Sequence, residues 1–332
     1  AEKDNIYSTS GVFENGVYNL QKETTITMTD GAAAISVENP VKIVSEEQAL
    51  HLSTSGEDVV RAISQTSGNE AQINVKQLDI SAKSSNGIAE GVYVFSNDSE
   101  ARAKLDINGD VNIAVAGVPT SGHGSIGLHT SGNAELNVVG DVTVTDASKV
   151  RYGYYNKSGI YAGAGTRQFH EASTINIKGN VDLDGFGVYA NGFGSTVNID
   201  GGAEISTEGI AVSAQSGVIN INVDAEGSAN AENNVSIRGN VGAVSGLTQQ
   251  GETFKDTVVN LGLNNSSSSL DGIVYTSAVE GFTSKVNMVL ANGATWTNEQ
   301  IGSLPSSWTN ASSSVAKLTG GEAGKVGVIK QL

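Results

Sequence analysis

Residues Ile175–Leu183 read INIKGNVDL, two short runs of alternating apolar and polar residues joined by Lys-Gly-Asn. Alone, the stretch is an ordinary amphipathic strand pair with a Gly-containing turn. The chain, however, rewrites it: LDINGDVNI at Leu105–Ile113, LNVVGDVTV at Leu136–Val144 and VNIDGGAEI at Val197–Ile205. Its kernel, apolar–Asn–apolar, recurs at Ile73–Val75, Leu136–Val138, Ile175–Ile177, Val197–Ile199, Ile219–Ile221, Val259–Leu261 and Val286–Met288, with Asp in place of Asn at Leu105–Ile107. Ile175, Val197 and Ile219 follow one another at intervals of 22 residues. That interval sets the minimal unit, and the longer intervals read as the same unit with insertions.

A second signature, Gly–apolar–Tyr or an equivalent, accompanies the first. It stands at Gly91–Val94, Gly127–Thr130, Gly159–Ala162, Gly187–Ala190, Gly209–Val212 and Gly272–Tyr275. Each repeat therefore carries about three short strands joined by Gly, Asn or Asp turns. Strands this short, each with one apolar side, cannot bury that side alone; stacking copies does so. The expectation is an all-β parallel β-helix of roughly a dozen coils, about 60 Å long at ~4.8 Å per coil. It runs to about Trp296, with Ile175 and Ile177 stacked under Val197 and Ile199. A β-sandwich would not repeat one motif in register, and a propeller blade needs ~40 residues or more.

Composition supports an unusual, repetitive β protein. Charged residues are 16% of the 332, against roughly 25% in typical soluble domains. There are 41 Gly, three Pro and no Cys, so no disulfide framework. The formal net charge of −16 repels phosphate backbones and anionic lipid surfaces, which argues against nucleic acid and membrane-surface partners. No apolar run approaches the ~20 residues of a membrane-spanning helix.

Near the C-terminal end, Met288–Thr297 reads MVLANGATWT and Ser312–Ile329 reads SSSVAKLTGGEAGKVGVI. These segments resemble the end of the passenger domains of type V autotransporters, at Leu290, Gly293, Ala294 and Trp296, then Val315, Leu318, Gly320, Gly321 and Val326. The segment Ile301–Ala311, with a second Trp, departs from that pattern. The resemblance implies a right-handed β-helix over 1–285 and a capping, autochaperone-like segment over 286–332. It also implies export to the bacterial cell surface and attachment through an outer-membrane β-barrel that is not part of this chain.

The chemistry-bearing residues are sparse. Asp182 with Asp184, and Asp106 near Asp110, are the carboxylate pairs a glycan-cleaving enzyme would need, yet each also reads as a solvated position on an alternating strand. A lyase would need a basic residue as well, and Arg61, Arg102, Arg151, Arg167 and Arg238 are scattered. His51, His123, His129 and His170 lack zinc-site spacing. Gly122–Gly127 (GHGSIG) has no nucleophile-elbow spacing, and Asp182–Gly187 (DLDGFG) lacks the later carboxylates of a calcium loop. No catalytic, metal or cofactor site is expected.

Two features read as binding surfaces. The repeated Asn residues, among them Asn74, Asn176, Asn198 and Asn220, point outward if their apolar neighbours point in, so they can form a ladder along the rod. The segment Val150–Ala172 falls in a long interval, and its Arg151, Tyr152, Tyr154, Tyr155 and Lys157 match no repeat position. Aromatic and basic side chains in a projecting loop are typical of binding surfaces. The functional expectation is a cell-surface adhesin that binds a host or matrix molecule, or identical rods on neighbouring cells. The alternative is a polysaccharide lyase or hydrolase.

Overall fold

The computed structural model describes residues 12–13, 16–118, 124–147, 157–163, 171–245, 255–309, 313–320 and 326–331. All 27 strands pair in parallel with the strand one turn before or after, and there is no helix among the described residues. The result is a right-handed parallel β-helix of about nine turns. Eleven strand levels stack on each of two faces among the described residues, against the roughly dozen coils expected from sequence.

One turn shows the plan. Thr174–Ile177 lies on a first face, Val181–Asp184 on a second and Phe186–Asn191 on a third, before Thr196–Ile199 returns to the first. We call these the Asn face, the acidic face and the aromatic face after their outward residues. In the early turns the first corner is not a break at all. Val41–Gly56, Glu70–Ser84 and Ala103–Ala116 bend from the Asn face onto the acidic face as single strands, with register shifts at Ser45/Ala49 and Asn74/Gln77.

Alternation along each strand puts every second side chain inside, where it meets the same position of the next turn. On the Asn face one inner column runs from Tyr18 through Ile43, Ile73, Ile107, Val138, Ile177, Ile199, Ile221 and Leu261 to Met288 and Leu318. On the acidic face a second runs from Ile26 through Leu52, Ile80, Ile113, Val144, Leu183, Ile205, Ile237 and Leu270 to Trp296 and Ile329. Ile175 and Ile177 pair with Val197 and Ile199, as the 22-residue interval requires. Each buried Ile or Leu contributes about 1.5–3 kcal/mol by leaving water. The inner columns merge into one continuous core.

The glycines of the second signature have a steric reason. A Cβ on Gly91, Gly127 or Gly159 would meet the side chain of Ile113, Val144 or Leu183 at 2.7–2.8 Å. Only glycine lets the aromatic face close onto the acidic face's inner column. The two later copies of that signature are out of register. Val212 pairs with Val188, so Ala211 rather than Gly209 stands at the glycine position. Tyr275 pairs with Gly242, so Ile273 stands there in the next turn.

The helix continues past Trp296. Ser284–Leu290 and Lys317–Thr319 extend the Asn face, while Thr295–Asn298 and Val328–Gln331 extend the acidic face. Residue 286, the expected start of the capping segment, falls inside the strand Ser284–Leu290. Among the described residues neither of these last two turns has a strand on the aromatic face. The final strands are exposed throughout, and Leu318 and Ile329, the last members of their columns, are nearly half in solvent.

Candidate binding surfaces

The outward side of the Asn face carries an unbroken hydrogen-bonded row. Asn287 Nδ2 donates to Asn260 Oδ1 (2.9 Å), Asn260 to Asn220 (2.7 Å), Asn220 to Asn198 (2.8 Å), Asn198 to Asn176 (2.8 Å), Asn176 to Asn137 (2.9 Å) and Asn137 to Asp106 (2.8 Å). Every bond has the same direction, and Asp106 ends the row because an ionised carboxylate only accepts. The Asn residues are half-buried. A side-chain amide has two N–H donors and two carbonyl lone pairs. The ladder uses one N–H and one lone pair at Asn176, Asn198, Asn220 and Asn260 and leaves the other pair unspent there, whereas Asn137 gives its second N–H to Glu135 Oε2 at 2.8 Å.

Asn74 is not a member of this row. Ile73 pairs with Ile107, which puts Gln72 beside Asp106 and sets Asn74 beside Asn108. Asn108 donates to Asn74 in a separate, shorter row near the corner. The apolar–Asn–apolar alignment was two residues out at this one repeat, where Ala71, a weak apolar signal, occupies the true Leu105 position.

The aromatic face divides into two halves. In the N-terminal half its outward column reads Ser64, Tyr93, His129, Tyr161, Tyr189. The His129 ring lies 5.0 Å from those of Tyr93 and Tyr161, edge-on to Tyr161 at 88°. Phe95, the next outward residue on the Tyr93 strand, holds its ring nearly parallel to Tyr93, at 14° and 6.0 Å. Beside them the Glu90 carboxylate is 2% exposed and fully engaged: Arg61 Nε donates to Oε2 and His129 Nδ1 lies against Oε1, both at 2.5 Å. The Arg61 guanidinium also lies 3.9 Å over the Tyr93 ring. Burial alone would raise the Glu90 carboxyl, but His129 and Arg61 outweigh it and hold the group below its ordinary value. Glu90 is therefore ionised at neutral pH and accepts from His129 Nδ1, which leaves His129 Nε2 outside the pairing. Burial raises the Tyr93 and Tyr161 phenols, so both stay neutral.

In the C-terminal half the same column reads Ser213, Gly242, Tyr275. Here residues 299–309 leave the acidic face and fold back over the aromatic face as a strap. Asn240 holds it with both ends of its amide, donating from Nδ2 to the Ile301 carbonyl (2.6 Å) and accepting at Oδ1 from Ile301 N–H (3.0 Å). Trp308 stacks on Tyr275 at 4.9 Å and 11°. A Cβ on Gly242 would meet the Trp308 ring at 2.4 Å, so the glycine is the seat of the indole. Tyr189, Ile210, Val244, Tyr275 and Trp308 form a second apolar cluster outside the main core, with Tyr161 and Leu304 against it. This is the role of the described part of the Ile301–Ala311 departure, residues 301–309: it covers the aromatic face where no strand does so.

Of the residues singled out from sequence, Asn176, Asn198 and Asn220 are consecutive members of the ladder. Arg151, Tyr152, Tyr154 and Tyr155 lie outside the described residues, as do His123 and His170. Lys157 opens the strand Lys157–Gly163, is 5% exposed, and sets its ammonium against the Asp146 carboxylate. Burial pushes that ammonium down to about 8. It is part of the framework at the edge of the aromatic face. Asp182 and Asp184 both point outward on one exposed strand, and Asp106 is engaged in the ladder while Asp110 Oδ1 accepts the Asp141 N–H at 2.9 Å. His51 bridges Glu23 and Asp79 across three turns of the acidic face. Among the described residues no group of three His, Cys, Asp or Glu side chains is placed to hold a metal ion. The Arg61–Glu90–His129 cluster was not foreseen. Its members are far apart in the chain and only the turn-to-turn register brings them together. No family model, no curated protein sequence and no solved structure matches the chain.

Proposed function

We propose that the chain is an adhesive rod displayed at the bacterial cell surface, attaching to a host or matrix molecule or to identical rods on neighbouring cells. The observation that carries this reading is the ladder from Asp106 to Asn287. From Asn176 to Asn260 it repeats one unspent donor and one unspent acceptor at the spacing of the turns. A second rod or an extended matrix chain laid alongside meets the same pair again and again. Each such bond contributes only about 0.5–1.5 kcal/mol net, so adhesion needs many repeats and many displayed copies. The net charge of −16 opposes contact between rods, so salt should strengthen self-association by screening it. The resemblance of the C-terminal segment to autotransporter passengers supports surface display through an outer-membrane barrel.

The test is dense display on beads beside a panel of matrix proteins. Clumping or capture is expected on beads, with the soluble rod monomeric. Replacing Asn176, Asn198 and Asn220 together by Thr should reduce clumping at unchanged turn structure. Beads that neither clump nor bind, together with new reducing ends or unsaturated products from polysaccharides, would favour the glycan-cleaving alternative instead.

A further inference from the structure

The polar groups around Glu90 include more than the internal pairing requires. Glu90 is satisfied by Arg61 Nε and His129 Nδ1, and those contacts tie three consecutive turns. A purely structural staple would end there. Yet among the described residues the terminal guanidinium nitrogens of Arg61 have no hydrogen-bond partner, and neither does His129 Nε2. The Arg61 side chain is 34% exposed and that of His129 is 16% exposed. The paired guanidinium donors and one imidazole nitrogen are thus left over, both side chains being fixed to one buried carboxylate.

The apolar part of the site lies next to them. His129 covers Tyr93 from the following turn, but the register partner of Phe95 in that turn is Ser131, and the next is Gly163. Small residues in that column leave the Phe95 ring half-exposed, with no aromatic from the following turns over it among the described residues. The charge balance is equally specific. The Arg61 and Glu90 charges cancel within a chain of −16. An acidic ligand would meet the field of the whole rod with no local compensation.

We propose that Phe95, Tyr93, Arg61 and His129 form a subsite for a neutral glycan. The C–H face of one sugar lies on the Phe95 ring, one of its hydroxyls accepts from the Arg61 guanidinium, and another hydrogen-bonds with His129 Nε2. Glu90 is the positioning residue, since it fixes the ring orientation of His129 and the direction of Arg61. The proposal rests on the adhesive reading and names its ligand class.

The experiment exposes the intact rod to immobilised neutral oligosaccharides ending in galactose, N-acetylglucosamine, mannose or fucose, beside sialylated and sulfated forms of the same chains. Binding to one or more neutral chains is expected, with at least a tenfold loss in His129→Phe, which keeps a ring but removes Nε2. Phe95→Ser should lose binding to a similar extent, and it decides the matter if His129→Phe does not fold. Glu204→Ala, at an exposed position of the acidic face, should bind as the wild type does. Absence of neutral binding, binding confined to the acidic forms, or binding unchanged in both variants overturns the proposal. Bead clumping without glycan binding removes this subsite alone and leaves the adhesive reading standing.

Discussion

Toward its C-terminal end the aromatic face is covered by the chain's own strap, with Trp308 lying on Gly242 and Tyr275, whereas toward its N-terminal end Tyr93, Phe95 and His129 stay half-exposed beside a saturated Glu90. Both halves grow from the same outward column, so the difference lies in which side chains occupy it. Where the column shrinks to Ser213 and Gly242, the face accepts an indole from outside. Where it is filled by Tyr93, His129 and Tyr161, the rings pack on one another along the rod. One surface has become a second core, and the other is left to meet a ligand.

The largest expected effect breaks the covered half. Trp308→Ala removes the indole from the second cluster and should cost about 3 kcal/mol of unfolding free energy in guanidinium. Trp308 Nε1 has no hydrogen-bond partner, so the loss is one of packing. Gly242→Ala should act through the same contact, costing about 1–3 kcal/mol as the indole is pushed off its seat. Little change in either variant would mean the strap lies on the face without stabilising it.

Next comes the open half. Glu90→Ala leaves Arg61 and His129 without their carboxylate and should cost about 2 kcal/mol, below the range for fully buried pairs because Arg61 reaches solvent. The sign of its pH dependence follows from the depressed carboxyl. The Glu90 contribution is fully present above the unfolded carboxyl value of about 4.3 and is lost as pH falls through the lower folded value. Acid unfolding curves of wild type and Glu90→Gln should therefore differ at neutral pH and converge below about pH 4. Curves separated by a constant amount down to the lowest pH would contradict the ionised pair.

The smallest effect lies on the Asn face and serves as the reference for both halves. Asn198→Ala removes two ladder bonds and should cost about 1 kcal/mol. Asn74→Ala removes one bond outside the ladder and should cost about half as much. Equal losses would show that the ladder adds nothing beyond local pairing.

Much of this architecture is legible in the sequence because stacking repeats its demands every turn. The inner columns need an apolar residue at one phase, the ladder needs Asn between two of them, and the 22-residue interval places Ile175 under Val197 without any structural input. Legibility fails where the repeat is weak. Ala71 hid the register of its strand and drew Asn74 into the wrong row, while Gly209 and Gly272 mimicked a signature whose true positions hold Ala211 and Ile273. The Arg61–Glu90–His129 cluster was invisible for a different reason. Its geometry depends on intervals of 29 and 39 residues whose alignment no single motif reveals. The strap shows only as an insertion with a Trp, because its partner is a glycine, and an empty position carries no pattern of its own.

Hydroxyl-radical footprinting read by mass spectrometry, on the intact rod with and without a bound neutral oligosaccharide, tests the contrast between the two halves most directly. Phe95, Tyr93 and His129 should be modified several times faster than Tyr189, Tyr275 and Trp308, and the oligosaccharide should protect the first group alone. Equal modification of Trp308 and Phe95 in the free rod, or protection that falls on Trp308 and Tyr275, would contradict an aromatic face sealed at one end and open at the other.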